Sequence, residues 1–450
     1  MAAGGVTQRA DDVPRRVTAG FAAGSLGTGG FGVLPGLVMA YYLTDTLAVS
    51  ALLASAVVVI PKLVDVVVNP LIGGRNDAAF ARTGSRTRLM WLGTVAIVPL
   101  FIATFCAPTG APPLVGAAWV LLFFTAAAVA YACFQVPYIA LPTDLTGDYH
   151  ARTRLISARI AVLASAILIL GAGATAVRDA LGGGATGYAV MAAVAVTVIA
   201  AGMAAATAIA GTAARRSPQA VGTPHRDDHR AAFVALRTHR HYRILLSVFV
   251  IQALASAVML AGAQYLAAYV LDDPGALTGL FAALVGPALL VMPLWVRVGR
   301  RIGKRRGLYA ASAVFLAADI VLTAAVVAPG AWVFAVVAMT GIGYAGMQTF
   351  PLAMLPDVID EHTRRTGHDR GGALSGLWTA GETLGMAVGP GVYLLVLAGS
   401  GFVSSSADDV VDQPSSALIG ITAGFSLLPA VLVAASMLLL LTRYDRKDSP

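Results

Sequence analysis

Three carboxylic acids stand inside long apolar stretches of this 450-residue sequence: Asp65, Asp319 and Glu382. A charge near the centre of a bilayer costs roughly 2.5–3.5 kcal/mol on insertion scales, so such groups persist when paired, when facing water or when used. Asp65 carries the most chemistry. It sits in PKLVDVVVNP, where Lys62, Asp65 and Asn69 fall at i, i+3 and i+7 on one helical face. A carboxylate with an amide oxygen one turn away can bind a cation or take up a proton, and Lys62 can neutralise it when the site is empty. The alternative is a fixed Lys62–Asp65 ion pair that only locks the helix. Arg159 can hold an anionic or hydroxyl-rich group bidentately, or can snorkel toward the cytoplasmic face. Glu382, among small residues in GLWTAGETLGMAVGPG, is a second candidate proton acceptor, or else a neutral buried acid that donates a hydrogen bond. Asp319, beside alanines and without an evident partner, reads as structural or outward-facing.

Such residues need spanning helices to hold them. The sequence is 58% hydrophobic and 12% charged, against roughly 25% charged in soluble domains. A soluble fold of this length cannot hide that much apolar surface, whereas a bilayer accepts it. Twelve stretches reach the roughly 20 apolar residues a span requires. They are 17–43, 47–71, 89–107, 114–141, 155–176, 187–212, 244–271, 277–296, 308–328, 331–356, 373–398 and 417–442. The 48 glycines suit close helix packing in lipid. The predicted fold class is an all-α membrane protein, with twelve transmembrane helices in two pseudo-symmetric six-helix bundles.

Charge sets the orientation. With a cytoplasmic N-terminus, 28 of the 31 Lys and Arg residues fall in inside segments, and one, Arg178, falls outside; Lys62 and Arg159 lie within helices. This is the positive-inside pattern. It predicts a multi-pass protein of the inner (plasma) membrane with both termini cytoplasmic. It also accounts for the net charge of +8 without a nucleic-acid partner. No cleavable signal peptide is evident before the first helix. Cys106 and Cys133 both fall in apolar stretches and read as packing residues, not as a disulfide or metal site.

The polar segment 213–243 contains RRSPQAVGTPHRDDHR and reads as a linker. It separates a bundle over 17–212 from a second over 244–442, with tails at 1–16 and 443–450. The halves echo each other: VPYIALPTDLTGD at 136–148 is matched by FPLAMLPDVID at 350–360, each leading from a helix end into an acidic and arginine-bearing loop. A duplicated six-helix unit suits alternating access to a site between the halves. Asp144, Arg152, Asp357 and Arg364 lie at the cytoplasmic ends of related helices. They are expected to pair across the halves when the path is shut to the cytoplasm; a solvated loop face is the alternative.

Other signals carry little. DDVVD at 408–412 lacks the second acidic cluster that a prenyl-diphosphate enzyme needs, and GGG at 182–184 lacks the Lys-Ser/Thr of a phosphate loop. His225, His229, His239 and His241 fall in cytoplasmic segments and read as solvated, not as metal ligands. The chain therefore reads as a non-enzyme, with no metal and no cofactor beyond a coupling ion, H+ or Na+.

Three segments, KLVDVVVNPLIGGRND, VPYIALPTDLTGDYHARTRLISAR and AMLPDVIDEHTRRTGHDRGGALSGLW, together resemble the glycoside–pentoside–hexuronide:cation symporter family of the major facilitator superfamily. The similarity runs from YYLTD at 41–45 to the end of the eleventh helix. It implies the major facilitator fold, a central cavity and cation-coupled uptake of a sugar-like solute. On it, Asp65 falls at the family's cation-binding acid of helix 2, and Arg159 at its substrate-binding arginine of helix 5. Other positions depart. The sugar-holding acid of helix 1 reads Gly30, two further polar positions of the cation site read Val68 and Asn69, the acid of helix 4 reads Gln135, and the lysine of helix 11 reads Thr383.

A sodium site needs several hard oxygen donors, and only Asp65, Asn69 and Gln135 remain. One titratable carboxylate, with Glu382 as a second, suits a proton better. The sequence thus predicts cation-coupled, proton-favouring symport of a sugar-like or other small polar solute by a monomer. Tyr138, Trp378 and Tyr344 are candidates to stack on the solute, with Arg159 and Thr383 as further contacts. An amphipathic lipid or drug-like substrate is the alternative, and a non-transporting membrane enzyme or sensor ranks last.

Overall fold

The computed structural model describes residues 13–108, 110–146, 148–214, 239–366, 371–406 and 411–444. The core of the proposed linker, the DDVVD acids before Val411, His225 and His229 lie outside these residues. Among the described residues, twelve helices are long and apolar enough to cross a membrane. They are α1 (Arg15–Thr46), α2 (Ala51–Thr83), α3 (Thr87–Thr104), α4 (Pro113–Leu145), α5 (Tyr149–Ala180), α6 (Ala185–Ala214), α7 (Arg240–Val270), α8 (Ala276–Ile302), α9 (Lys304–Val326), α10 (Trp332–Thr366), α11 (Gly371–Gly399) and α12 (Ser415–Arg443). The expected helix count holds.

Several helices outrun their apolar stretches: α2 continues to Thr83 and α10 to Thr366. Hydropathy marks only the lipid-immersed part of a helix, and the polar continuations keep their backbone bonded by helix alone. Cys106 lies beyond the end of α3 and is exposed, which corrects its placement in a span, whereas Cys133 is buried as expected. Arg178, expected in an outer loop, sits in the last turn of α5 at 2% exposure. Its Nε donates to Asp179 Oδ1 at 2.7 Å, and Nη1 donates to the Tyr188 hydroxyl. Leu52, Leu92, Leu122, Ile169, Leu290 and Leu438 turn outward and are largely exposed, as lipid-facing positions should be.

The chain divides into two compact units. The first comprises Met1–Pro35 and Ile60–Gly222, and the second Gly36–Val59 and Thr223–Pro450. Residues 36–59, drawn with the N-terminal bundle from sequence, thus fall within the second unit. A shared irregularity marks the repeat. Both α1 and α7 end in a turn of π-helix, Tyr42–Thr46 and Leu266–Val270, followed two residues later by a non-glycine residue in left-handed conformation, Ala48 and Asp272.

Glycine sets the closest approaches. In the first unit a Cβ on Gly93 of α3 would overlap the backbone of α4 at Ala130, and in the second a Cβ on Gly341 of α10 would overlap the Leu284 carbonyl of α8. Backbone cannot yield as a flexible side chain does, so Gly341→Ala is expected to destabilise by about 1–3 kcal/mol. Gly286→Ala, with open space at its Cβ, serves as control. Melting in detergent checks this: equal melting temperatures for the two variants would contradict the packing argument.

Candidate functional site

In the first unit, α2 directs Lys62 and Asp65 inward at one helical spacing. Asp65 Oδ2 lies 3.9 Å from Lys62 Nζ, with the two side chains 17% and 26% exposed. That is beyond hydrogen-bond length. Oδ1 is buried without a hydrogen-bond partner. The ammonium is shared: it lies 6.0 Å from the Phe31 ring centre and 5.9 Å from that of Phe124, within cation–π range. Phe31 in turn stacks on Tyr131 at 4.4 Å. A locked ion pair would show short N–H···O contacts. Asp65 instead keeps an unsatisfied oxygen, able to accept a proton or a donor.

Arg159 of α5 stands beside α4. Its guanidinium lies 5.6 Å from the Tyr138 ring centre, and Nε is buried without a partner. Tyr138 is fully buried between Phe21 and Phe134. Its hydroxyl donates to the Phe21 carbonyl at 2.7 Å and meets Ser25 Oγ at 3.2 Å. The expectation that Tyr138 stacks on a solute is corrected: its ring is fully buried against Phe21 and Phe134, with the Arg159 guanidinium over it. Gln135, one turn earlier on α4, is half-buried, and Asn69 is exposed. Val68 packs against Ile72, Ala132 and Cys133. Gly30 faces Leu170 and Ile199 so closely that a Cβ would overlap both. The position where the resemblance expects an acid is therefore a helix-packing contact.

In the second unit, Glu382 of α11 and Tyr344 of α10 are both half-buried and close enough to interact electrostatically. The Tyr344 hydroxyl accepts from Gln348 Nε2 at 2.9 Å. Thr383 is exposed. Trp378 is 2% exposed and stacks on Phe249 at 4.5 Å, so it too is corrected from a solute-facing ring to a packed one. Asp319 is fully buried, accepting from Thr340 Oγ1 at 3.3 Å with its second oxygen unpartnered. Its burial excludes the outward-facing reading of Asp319.

The four expected gate residues find partners inside their own units. Asp144 Oδ2 accepts from Arg86 Nε at 2.7 Å, and Arg86 Nη1 donates to Asp77 at 2.8 Å. Burial works against the Arg86 charge, but the hydrogen bonds it donates to Asp144 and Asp77 outweigh it and hold the proton more tightly than usual. Arg152 donates to the Thr146 carbonyl. In the second unit Asp357 Oδ2 accepts from Lys304 Nζ at 2.6 Å, and Arg364 Nε reaches the Asp360 carbonyl. The sequence repeat is thus matched in structure: the aspartate after each Leu-Pro pairs with a cation near the start of the helix packed beside it, α3 or α9. Asp357 and Arg364 also line a cavity of about 1690 Å³ with Lys304, Arg306, Glu361 and Tyr444. Burial near Glu361 and Asp357 pushes the Tyr444 phenol up to about 12. Sequence reasoning passed over Arg86 and Asp77, although the basic run after GGRND was a visible signal. It also passed over Asp45.

The family described as MFS/sugar transport protein matches residues 20–446. An uncharacterized symporter of Synechocystis sp., sll1374, is 32% identical over 126 residues, which is 27% of this chain and 23% of that protein's length. The sodium-dependent lysophosphatidylcholine symporter 1 of Mus musculus is 26% identical across 75% of this chain and 68% of its own. The putative glycoside/cation symporter YagG of Escherichia coli is 24% identical across 92% and 88%. Among solved structures, the D-xylose-proton symporter superposes with TM-score 0.64 at 12% identity, covering 95% of this chain and 97% of that one. A bacterial homolog of the human lysosomal transporter Spinster gives 0.63 at 14%, covering 97% and 98%. At such identities the structural likeness speaks for the fold alone.

Proposed function

Because the chain belongs to the MFS/sugar transport protein family and is a multi-pass membrane transporter, not an enzyme, we propose that it couples inward movement of a small polar solute to a proton taken up at Asp65. The observation that carries this reading is the buried, unpartnered Oδ1 of Asp65, on a carboxylate whose Oδ2 stays 3.9 Å from an ammonium that two aromatic rings share with it. Glu382, half-buried in the second unit, is the second proton-accepting candidate. Arg159, raised on Tyr138 with Nε unsatisfied, is the group offered to the solute. A sugar-like solute, an anionic one included, supplies the acceptors that a guanidinium binds bidentately. The similarity to a glycoside/cation symporter supports that class. Sodium is disfavoured because Asp65 is the one carboxylate among Asp65, Asn69 and Gln135, where several hard oxygens are needed.

The positive-inside pattern supports an inner (plasma) membrane location with both termini cytoplasmic, and transport by alternating access as a monomer, without cofactor or nucleic acid. A second reading, movement of an amphipathic substrate, is favoured by the similarity to a lysophosphatidylcholine symporter and by the burial of Trp378 and Tyr138, two of the three rings first assigned to a sugar. Uptake into proteoliposomes across a panel of sugars, uronides and lysolipids, with imposed proton or sodium gradients, separates these readings. Accumulation of lysolipids but not sugars would replace the first with the second.

A further inference from the structure

The cavity of about 1690 Å³ beside Asp357 lies wholly within the second unit, where α8, α10 and α12 end and α7 and α9 begin. Gly303, at φ +88°, turns α8 directly into α9 and so brings Lys304, Arg305 and Arg306 to the cavity wall. Five Lys and Arg side chains line it against three carboxylates, Asp357, Asp360 and Glu361. Two of the cations are already matched: Lys304 with Asp357 at 2.6 Å and Arg365 with Glu361 at 3.3 Å. Glu361 also meets His241 at 3.2 Å. Among the described residues, neither Arg305 nor Arg306 has a carboxylate partner. Arg305 lies over the Tyr444 ring at 5.8 Å, a contact that uses none of its N–H donors. Unmatched guanidiniums on the wall of such a cavity form a seat for an anion.

A second, independent feature tells which anion. Leu427, Val431, Leu438 and Leu441 recur along α12 at helical spacing and are 48–61% exposed. This is the face that α12 turns to lipid tails. Leu441, at the end of that stripe, is also a wall of the cavity, as is Ile302, 40% exposed, at the end of α8. The hydrocarbon-facing stripe therefore runs into the basic cavity. Tyr309 and Tyr444, half-buried on the same wall, are of the residue type that marks headgroup depth. A free anion would use the basic wall alone, whereas a phospholipid uses both walls.

We propose that this cavity seats the headgroup of an anionic phospholipid, its phosphate held by Arg305 and Arg306 and an acyl chain lying along the Leu438–Leu441 face of α12. Basic pockets between spanning helices on the cytoplasmic side suit such headgroups, and the proposed orientation turns this end of the unit to the cytoplasm. The lipid is a bound partner of the second unit, not the transported solute. The claim stands apart from the coupling role of Asp65, because its readout requires neither solute nor gradient.

Titration of the purified full chain with phosphatidylglycerol or phosphatidylcholine, read by native mass spectrometry, gives the Kd of the first bound lipid. Phosphatidylglycerol is expected to bind about tenfold or more tightly than phosphatidylcholine. Each cation facing an anionic headgroup is worth about fivefold, so Arg305→Gln/Arg306→Gln is expected to weaken that first site roughly twentyfold. Arg306→Gln alone, at an exposed position, is expected to weaken it about fivefold and keeps the test open if the double variant fails to fold. Arg82→Gln/Arg88→Gln removes the same charge from exposed positions of the first unit and is expected to leave the site unchanged. Leu441→Gln, which interrupts the apolar wall, is expected to weaken phosphatidylglycerol binding severalfold. Equal binding of the two lipids, or an equal loss in the Arg82/Arg88 control, would overturn the site. Displacement of phosphatidylglycerol by millimolar inorganic phosphate, with Leu441→Gln silent, would overturn the lipid and leave a site for a free anion.

Discussion

Asp65→Asn is expected to leave solute exchange intact while abolishing uphill accumulation. With one proton per uncharged solute, an inward gradient of two pH units supports about 100-fold accumulation, each unit being worth ~1.4 kcal/mol. The asparagine variant should fall to about one-fold, because an amide of the same shape cannot carry the proton. Counterflow, which needs binding and reorientation but no net proton movement, should persist. A folding defect is the competing explanation, since the substitution leaves the Lys62 ammonium with only the Phe31 and Phe124 rings. Lys62→Met added to Asp65→Asn removes that stranded charge. If the double variant regains melting temperature but not accumulation, the loss belongs to coupling. Gradient-driven uptake undiminished in Asp65→Asn would sink the assignment, and equal drive by a sodium gradient at constant pH would redirect it to another cation.

The second large effect is expected at Arg159. A snorkelling role would be served by any long cation, so Arg159→Lys would be silent. A bidentate contact made from the Tyr138 platform would not survive, because an ammonium offers neither the planar fork nor the stacking face. Arg159→Lys is therefore expected to lower transport at limiting solute by roughly tenfold or more, the loss of a hydrogen bond to a charged group being worth about 1.5–3 kcal/mol. The defect should fall mainly on apparent affinity. Uptake assayed against solute concentration checks this, with Tyr138→Phe as companion. That change removes the hydroxyl anchored to the Phe21 carbonyl and Ser25 but keeps the ring under Arg159, and should cost less. Wild-type kinetics in Arg159→Lys would return the residue to the membrane surface.

The twelve spans were legible because lipid imposes one rule, an apolar run of fixed length, and the sequence obeys it without exception. The duplicated Leu-Pro…Asp motif was legible too, and its two aspartates prove to have equivalent partners. What stayed hidden depends on contacts between distant segments. Asp45 drew no notice, since nothing local announces Tyr269 or Ser405 as its partners. Tyr138 and Trp378 read as solute-stacking rings because aromatic residues beside an arginine or a glutamate suggest a binding wall. Their covering by Phe21, Phe134 and Phe249 is a packing fact with no periodic signature. Gly30 likewise read as a lost acid and is instead a place where the side chains of Leu170 and Ile199 fill the space a side chain would take.

The paired aspartates Asp144 and Asp357, near the ends of α4 and α10, are equivalent in position but not in setting. The Arg86–Asp144 pair is nearly sealed from water, at 10% and 11% exposure, while Lys304–Asp357 stands open at 45% and 59%. Mobile ions screen the open pair within a Debye length of about 8 Å and scarcely reach the sealed one. Ionic strength therefore acts unequally on the two pairs: concentrated electrolyte slackens the wetter Lys304–Asp357 clasp while Arg86–Asp144 keeps its grip.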